Sequence, residues 1–175
     1  MVVHEGAPFF AAGTFQFTGA SLMHTEDLVN VFRAGGGIAY DALHRDIPTS
    51  IDRMHRPWFE HLLTGSWIPD LPEVEERLRT GIRVLDVGCG LGRSTVALAE
   101  AYPESSFLGV DPHAESLLAA RALAAERSLA NLEFRETTVE SLAEEPAFDL
   151  ALAIDCIHDM RDPVGTLAAI RARLT

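Results

Sequence analysis

The chain has 175 residues, 47% of them apolar and 23% charged, which is one ordinary globular core with room for a small appendage and too apolar for wholesale disorder. Its net charge is −12 and both halves are acidic, so a nucleic-acid backbone or an anionic membrane is repelled and neither is expected as a partner. All 14 basic residues are arginine, and the absence of lysine excludes Schiff-base chemistry and Walker-type ATP binding.

Apolar runs are too short to span a membrane and Met1–His4 carries no signal-peptide pattern, so a cytoplasmic location is expected. The two cysteines, Cys89 and Cys156, form no CxxC pair and read as reduced thiols, with neither a zinc site nor a disulfide framework implied.

In chain order, residues 1–80 read as a helical lid or linker. Phe9–Thr18 has no clear period and is expected to be loop. His24–Ala34 reads as a helix with an apolar face at Leu28, Val31 and Phe32, with Thr25 as N-cap, Glu26 and Asp27 in its first turn, and Gly35 past its end. Gly35-Gly36-Gly37 makes a hinge. Ile51, Met54, His55, Trp58, Phe59, Leu62 and Leu63 recur at helical spacing, marking a second amphipathic helix that Pro57 should kink. A third, acidic helix over Glu73–Arg79 ends at Gly81.

From Gly81 on, strand-type and helix-type runs alternate. Strands are expected at Ile82–Val87, Ser106–Val110, Leu132–Glu136 and Phe148–Ile154, and helices at Ser94–Tyr102, His113–Arg127, a short stretch near Val139–Ala143, and Pro163–Leu174. This alternation predicts an α/β fold with a parallel sheet covered on both faces.

The chemistry centres on Val84–Gly92, where an apolar strand runs into a glycine-rich turn and then a helix. Glycines there let backbone approach a ligand closely, and the helix N-terminus offers free N–H groups. A dinucleotide fingerprint requires a small residue where Arg93 stands, which counts against an NAD-dependent oxidoreductase. The pattern present is D-x-G-x-G-x-G, and the carboxylate of Asp86 suits an amino-bearing ligand better than a pyrophosphate. Asp111 ends the next strand, where an acid can accept two hydrogen bonds from a ribose diol.

Together these residues resemble a class I S-adenosylmethionine-dependent methyltransferase. The match rests on Val84–Gly92, Val110-Asp111, Asn131–Leu142, and Phe148-Asp149-Leu150 through Asp155-Cys156-Ile157-His158-Asp159, covering Gly81–Thr175. Upstream, Phe32–Tyr40, Arg56-Pro57 and Trp67-Ile68-Pro69 resemble the linker of a bacterial subfamily that carries an N-terminal winged-helix domain. The resemblance implies a Rossmann-like sheet of which this chain supplies the first four parallel strands, with residues 81–175 forming a partial cofactor-binding domain and the chain truncated at both ends. The fourth strand would then be an open apolar edge.

For S-adenosylmethionine, the resemblance implies that Asp86 with Gly88, Cys89 and Gly90 holds the methionine portion and that Asp111, followed by Pro112, holds the ribose. Thr138 falls where the family often supplies an acid to the adenine amino group. Asp155 lies where the fourth strand opens onto sulfonium and substrate, and Tyr40 could reach over the site from the lid. His158 or Asp155 would assist deprotonation of a small-molecule methyl acceptor. Methyl transfer without a metal is the expectation, a non-catalytic cofactor-binding or dimerisation module is the alternative, and a homodimer is one arrangement that the helical N-terminal segment and the fourth strand raise.

Overall fold

The computed structural model describes residues 4–7, 10–143 and 147–175. Met1–Val3, part of the segment read for a leader, and Phe9, the first residue of the expected loop, lie outside the described residues. The chain divides into two compact units, Met1–Leu62 and Leu63–Thr175.

In the first unit, helices α1 (Ala12–Leu22), α2 (Thr25–Ala34) and α3 (Asp46–Pro57) are joined by short turns, including a 3-10 turn at Tyr40–Ala42. The expectation of a loop over Phe9–Thr18 is corrected: most of it belongs to α1. Its sequence places apolar residues all round rather than in a stripe, and the helix is fixed instead by close packing on α3. A Cβ on Gly13 would sit 2.8 Å from Met54 Cγ and 3.0 Å from the Ser50 carbonyl oxygen, so the two backbones approach as only glycine allows. The cap of α2 differs too. His24 occupies the N-cap position, and Thr25 lies within the helix, its hydroxyl donating to the Leu22 carbonyl at 2.6 Å. At Pro57 the missing N–H ends the α-helical ladder, and the chain runs on as a wider π-type helix over Trp58–Trp67.

The second unit is built on four parallel strands: β1 (Arg83–Val87), β2 (Ser106–Asp111), β3 (Leu132–Glu136) and β4 (Leu150–Leu152), in the order β3-β2-β1-β4. Helix α4 (Pro72–Thr80) precedes the sheet. Its Leu78 is fully buried and its carbonyl accepts from the Ser105 hydroxyl at 2.7 Å, while Ser105 Oγ in turn accepts the Ile82 amide at 3.0 Å. Helices α5 (Arg93–Ala101), α6 (Ala114–Glu126) and α7 (Pro163–Arg173) complete the layers.

Alternation along each strand sorts the core into two faces. Leu85, Val87, Leu108, Val110, Phe148 and Ile170 pack on one side. Val96, Leu117, Ala120, Ala124 and Phe134 pack with Cys89 on the other. A fully buried leucine such as Leu85 or Leu117 contributes about 2 kcal/mol by removal from water. The expected strand Phe148–Ile154 shortens to Leu150–Leu152, because Phe148 forms a parallel bridge to Leu174 and the chain leaves the sheet after Leu152. β4 is half-buried, as its place at the sheet edge dictates.

Candidate functional site

Strand order reverses direction at β1, with β2 on one side and β4 on the other, so the carboxyl ends of β1 and β4 flank a topological switch point, the usual crevice for ligands in open parallel sheets. The turn after β1 lies across these strand ends. Gly88 N–H and Cys89 N–H both donate to the Val110 carbonyl, at 2.9 and 3.2 Å, which folds the turn over the end of β2. Gly88, Gly90 and Gly92 have φ of +67°, +52° and +74°.

Two of these glycines do different work. Gly92 is packed: a Cβ there would meet Phe134 Cζ at 2.6 Å and Ala120 Cβ at 2.7 Å, so its bareness seats α5 on the sheet. Gly90 faces open space, with no atom within 4 Å of an added Cβ. Glycine is required at Gly90 by its left-handed backbone, and the open space beside it leaves the backbone accessible.

Asp111 ends β2 and organises the same turn. Its Oδ2 accepts Gly90 N–H at 2.9 Å and its Oδ1 accepts His113 N–H at 2.8 Å across Pro112, a local turn that an aspartate makes readily. A carboxylate has about four lone-pair sites, so two amide donors leave capacity for a diol. Asp111 is partly exposed.

Asp86 is different. It is 2% exposed, and its Oδ2 accepts Ser94 Oγ at 2.6 Å and Thr95 Oγ1 at 2.7 Å. Burial pushes its carboxyl above the ordinary range, the two hydroxyls pull it back, and the negative charge of Asp111 adds to the rise. Ser94 and Thr95 were not singled out from the sequence. The signal available was two adjacent hydroxyl residues in the first turn of the helix that follows the motif, where they face back to the strand carrying the acid.

Cys89 lies in the turn after β1, and Cys156 lies beyond β4, just before the 3-10 segment Ile157–Asp159. Both are free thiols. Burial pushes Cys89 far up, and pushes Cys156 up to about 12, with Asp86 and Asp111 adding to each. Both therefore stay protonated at neutral pH and are poor nucleophiles. Cys156 Sγ instead donates to the Val87 carbonyl at 3.1 Å, tying the loop beyond β4 to the end of β1.

Beyond β4, Asp155 holds φ +52°, unusual for a residue with a side chain, and turns the chain into the 3-10 segment Ile157–Asp159. His158 Nδ1 lies 3.6 Å from Asp155 Oδ1 and Nε2 lies 3.5 Å from Asp159 Oδ1, with all three side chains exposed. Thr138 precedes the 3-10 turn Val139–Ser141 after β3. The adjacent Thr137 amide donates to the Asp111 carbonyl at 3.2 Å, which holds this loop beside the β2 end. Tyr40 belongs to the first unit.

A parallel sheet in 3-2-1-4 order, with a glycine turn clear on its ligand side and an acid at the next strand end, defines a Rossmann-like domain of the class I methyltransferase type. The family comparison agrees: residues 85–175, just over half of the chain, match the sequence model of the methyltransferase domain, and the chain belongs to that family. Among curated relatives, the ubiquinone biosynthesis O-methyltransferase of Rhodopseudomonas palustris (strain BisB18) is 37% identical over 98 residues, which is 55% of this chain and 36% of that protein. The enzyme of the same name from Paracidovorax citrulli is 36% identical over 105 residues, covering 59% and 41%. The chain thus spans 36–41% of the length of these relatives.

Among solved structures, PKMT2 of Rickettsia typhi in complex with AdoHcy superposes with a TM-score of 0.51 at 25% identity, covering 56% of this chain and 19% of that one. A SAM-dependent methyltransferase of Aquifex aeolicus reaches 0.59 at 20% identity, covering 73% and 67%, a likeness of fold alone.

Proposed function

We propose that the chain binds S-adenosylmethionine and transfers its methyl group to a small-molecule acceptor, with residues 81–175 carrying the cofactor. The observation that supports this reading is the Gly90–Asp111 arrangement: an open glycine in the turn after β1 whose amide donates to the partly exposed acid at the end of β2. The residues fit the cofactor chemically. Asp86 and the Gly88–Cys89–Gly90 backbone suit the amino-acid portion, Asp111 and Pro112 the ribose side, and Thr138 the adenine end, where its hydroxyl offers one neutral hydrogen bond. When bound, the cofactor supplies an electrophilic methyl on a sulfonium.

The chain's own contribution is then mostly orientation, since holding two reactants in line is worth about 7–11 kcal/mol of barrier in favourable cases. His158 is the proposed base that takes the acceptor's proton, and Asp155 is proposed to line the reacting centre and steady the imidazole ring. The names of the relatives favour a hydroxyl acceptor, so phenolic and enolic compounds come first in the screen. Residues 1–80 as a lid or linker, with Tyr40 contributing from it, belong to the same proposal, as does a homodimer.

Calorimetric titration of S-adenosylhomocysteine tests the reading. Wild type should bind saturably and Asp111→Ala should lose roughly tenfold or more in affinity, as expected for hydrogen bonds to a charged group. A folded wild type that shows no heat of binding sinks it. Turnover is read separately: in an acceptor screen, His158→Gln should lower kcat by about 10²-fold with cofactor affinity unchanged.

A further inference from the structure

We propose that Ser94 and Thr95 are positioning residues of this site: their two hydroxyls hold the Asp86 carboxylate charged and in place, so that recognition of an ammonium-bearing ligand depends on them while recognition of the nucleoside does not. This rests on the reading that the glycine turn holds S-adenosylmethionine.

The geometry is that of a sealed cluster. Asp86, Ser94 and Thr95 are 2%, 4% and 0% exposed, and both hydroxyls converge on Oδ2 at 2.6 and 2.7 Å. An ionised carboxylate removed from water is strongly disfavoured unless donors replace its hydration. The surroundings give little other help. Asp111, from β2, is a like charge, and the thiols of Cys89 and Cys156, from the turn after β1 and from the loop beyond β4, are neutral. Arg93 heads α5, beside Ser94 in sequence, and Arg121 reaches the same region from α6, where its charge is felt at Cys89. Deleting one hydroxyl should therefore let Asp86 take up a proton at a higher pH, and a protonated acid no longer attracts an ammonium group.

Hydroxyls that serve only to anchor α5 to β1 would give a different result, since losing the anchor would loosen the whole turn. The experiment therefore uses two ligands that differ in the relevant group. S-adenosylhomocysteine carries the amino-acid portion, whereas 5′-methylthioadenosine keeps the nucleoside and thioether and lacks it. Both are titrated calorimetrically into wild type, Thr95→Val and Thr95→Ser, from weakly acid to weakly alkaline pH.

The expected result is that Thr95→Val binds S-adenosylhomocysteine roughly tenfold more weakly at neutral pH. Its loss of affinity on acidification should begin at a higher pH than in wild type. Binding of 5′-methylthioadenosine should change by less than about twofold, and Thr95→Ser should restore the wild-type behaviour, because the hydroxyl is what matters. Equal weakening of both ligands, or unchanged affinity and pH profile for S-adenosylhomocysteine, overturns the assignment. Should Thr95→Val fail to fold, Ser94→Ala removes the other donor and is read by the same criteria. A wild-type chain that binds neither ligand removes the cofactor reading, and this assignment falls with it.

Discussion

The two units of the chain bury their apolar residues very differently. In Leu63–Thr175, Leu78, Val84, Leu85 and Leu117 are all at 0% exposure, whereas in the first unit α2 has no buried residue and Phe32 on it is 90% exposed. The difference lies in how each core is assembled. The crossovers from β1 to β2 and from β2 to β3 each return a helix onto neighbouring strands, so these elements find their partners by short connections, and only β4 pairs at long range, with β1. In the helical unit the main described packing joins α1 to α3, across α2, through the close approach at Gly13. The contrast is one of degree: Leu118 and Val164 are exposed in the sheet unit and Ile47 and Phe59 are buried in the helical one, but the fully buried leucines and valines all lie in the sheet unit.

The strongest way to break that contrast is to attack the seat of α5. Gly92→Val imposes a β-branched side chain at φ +74° and drives its Cβ into Phe134 and Ala120, both within 3 Å. Strain from the left-handed backbone and from overpacking together should cost about 4 kcal/mol, enough to abolish a cooperative transition of the sheet unit in urea. A loss below about 1 kcal/mol would show that the turn is slack and the packing argument wrong.

A sharper comparison sets one large apolar side chain in each unit against the other. Leu117→Ala, in the middle of a buried cluster, should lower stability by about 3 kcal/mol, while Phe32→Ala should stay within about 0.5 kcal/mol. Equal costs in denaturant titrations would mean that Phe32 is buried in solution. A smaller effect is expected at the start of α7, where Asp162 Oδ1 accepts the Gly165 amide at 3.0 Å. Asp162→Ala should cost about 1 kcal/mol, the usual loss for an N-cap, with the change seen in the same sheet-unit transition.

How legible each region was follows from the same contrast. Leu132–Glu136 is observed as expected from its alternating pattern, and Ile82–Val87 and Ser106–Val110 each differ by one residue, because a strand buried on both faces reads as an apolar run bounded by polar residues. Helix α1 was not legible: Gly13 and Gly19 weaken its local propensity, and what holds it is Met54, 41 positions away. The end of β4 misled for a related reason. Ala153 is apolar because it packs against the cluster around Leu85, not because it lies in a ladder, and sequence alone does not separate the two. At the site, the glycine turn and the acid at the end of β2 were legible from spacing, whereas the Ser94 and Thr95 contacts to Asp86 depend on how the turn brings the start of α5 back to β1.

The smallest expected effect on stability has the opposite sign and links the site to the core. Asp86 is buried with its carboxyl raised above 3.8, chiefly by desolvation. A group whose folded pKa is raised contributes stability that is full below its unfolded pKa and lost as pH rises through its folded pKa, so ionised Asp86 is a liability to folding at neutral pH. Asp86→Asn keeps an oxygen that can accept both hydroxyls and carries no charge. The variant should equal or exceed wild-type stability at neutral pH, and its advantage should shrink as pH falls into the acid range. Affinity for S-adenosylhomocysteine should meanwhile collapse, the pattern of a charge retained for binding against the interest of the fold. Urea titrations at neutral and acid pH check the sign. A variant less stable than wild type at neutral pH and indifferent to acid would show instead that the carboxylate is there to hold α5 on the sheet.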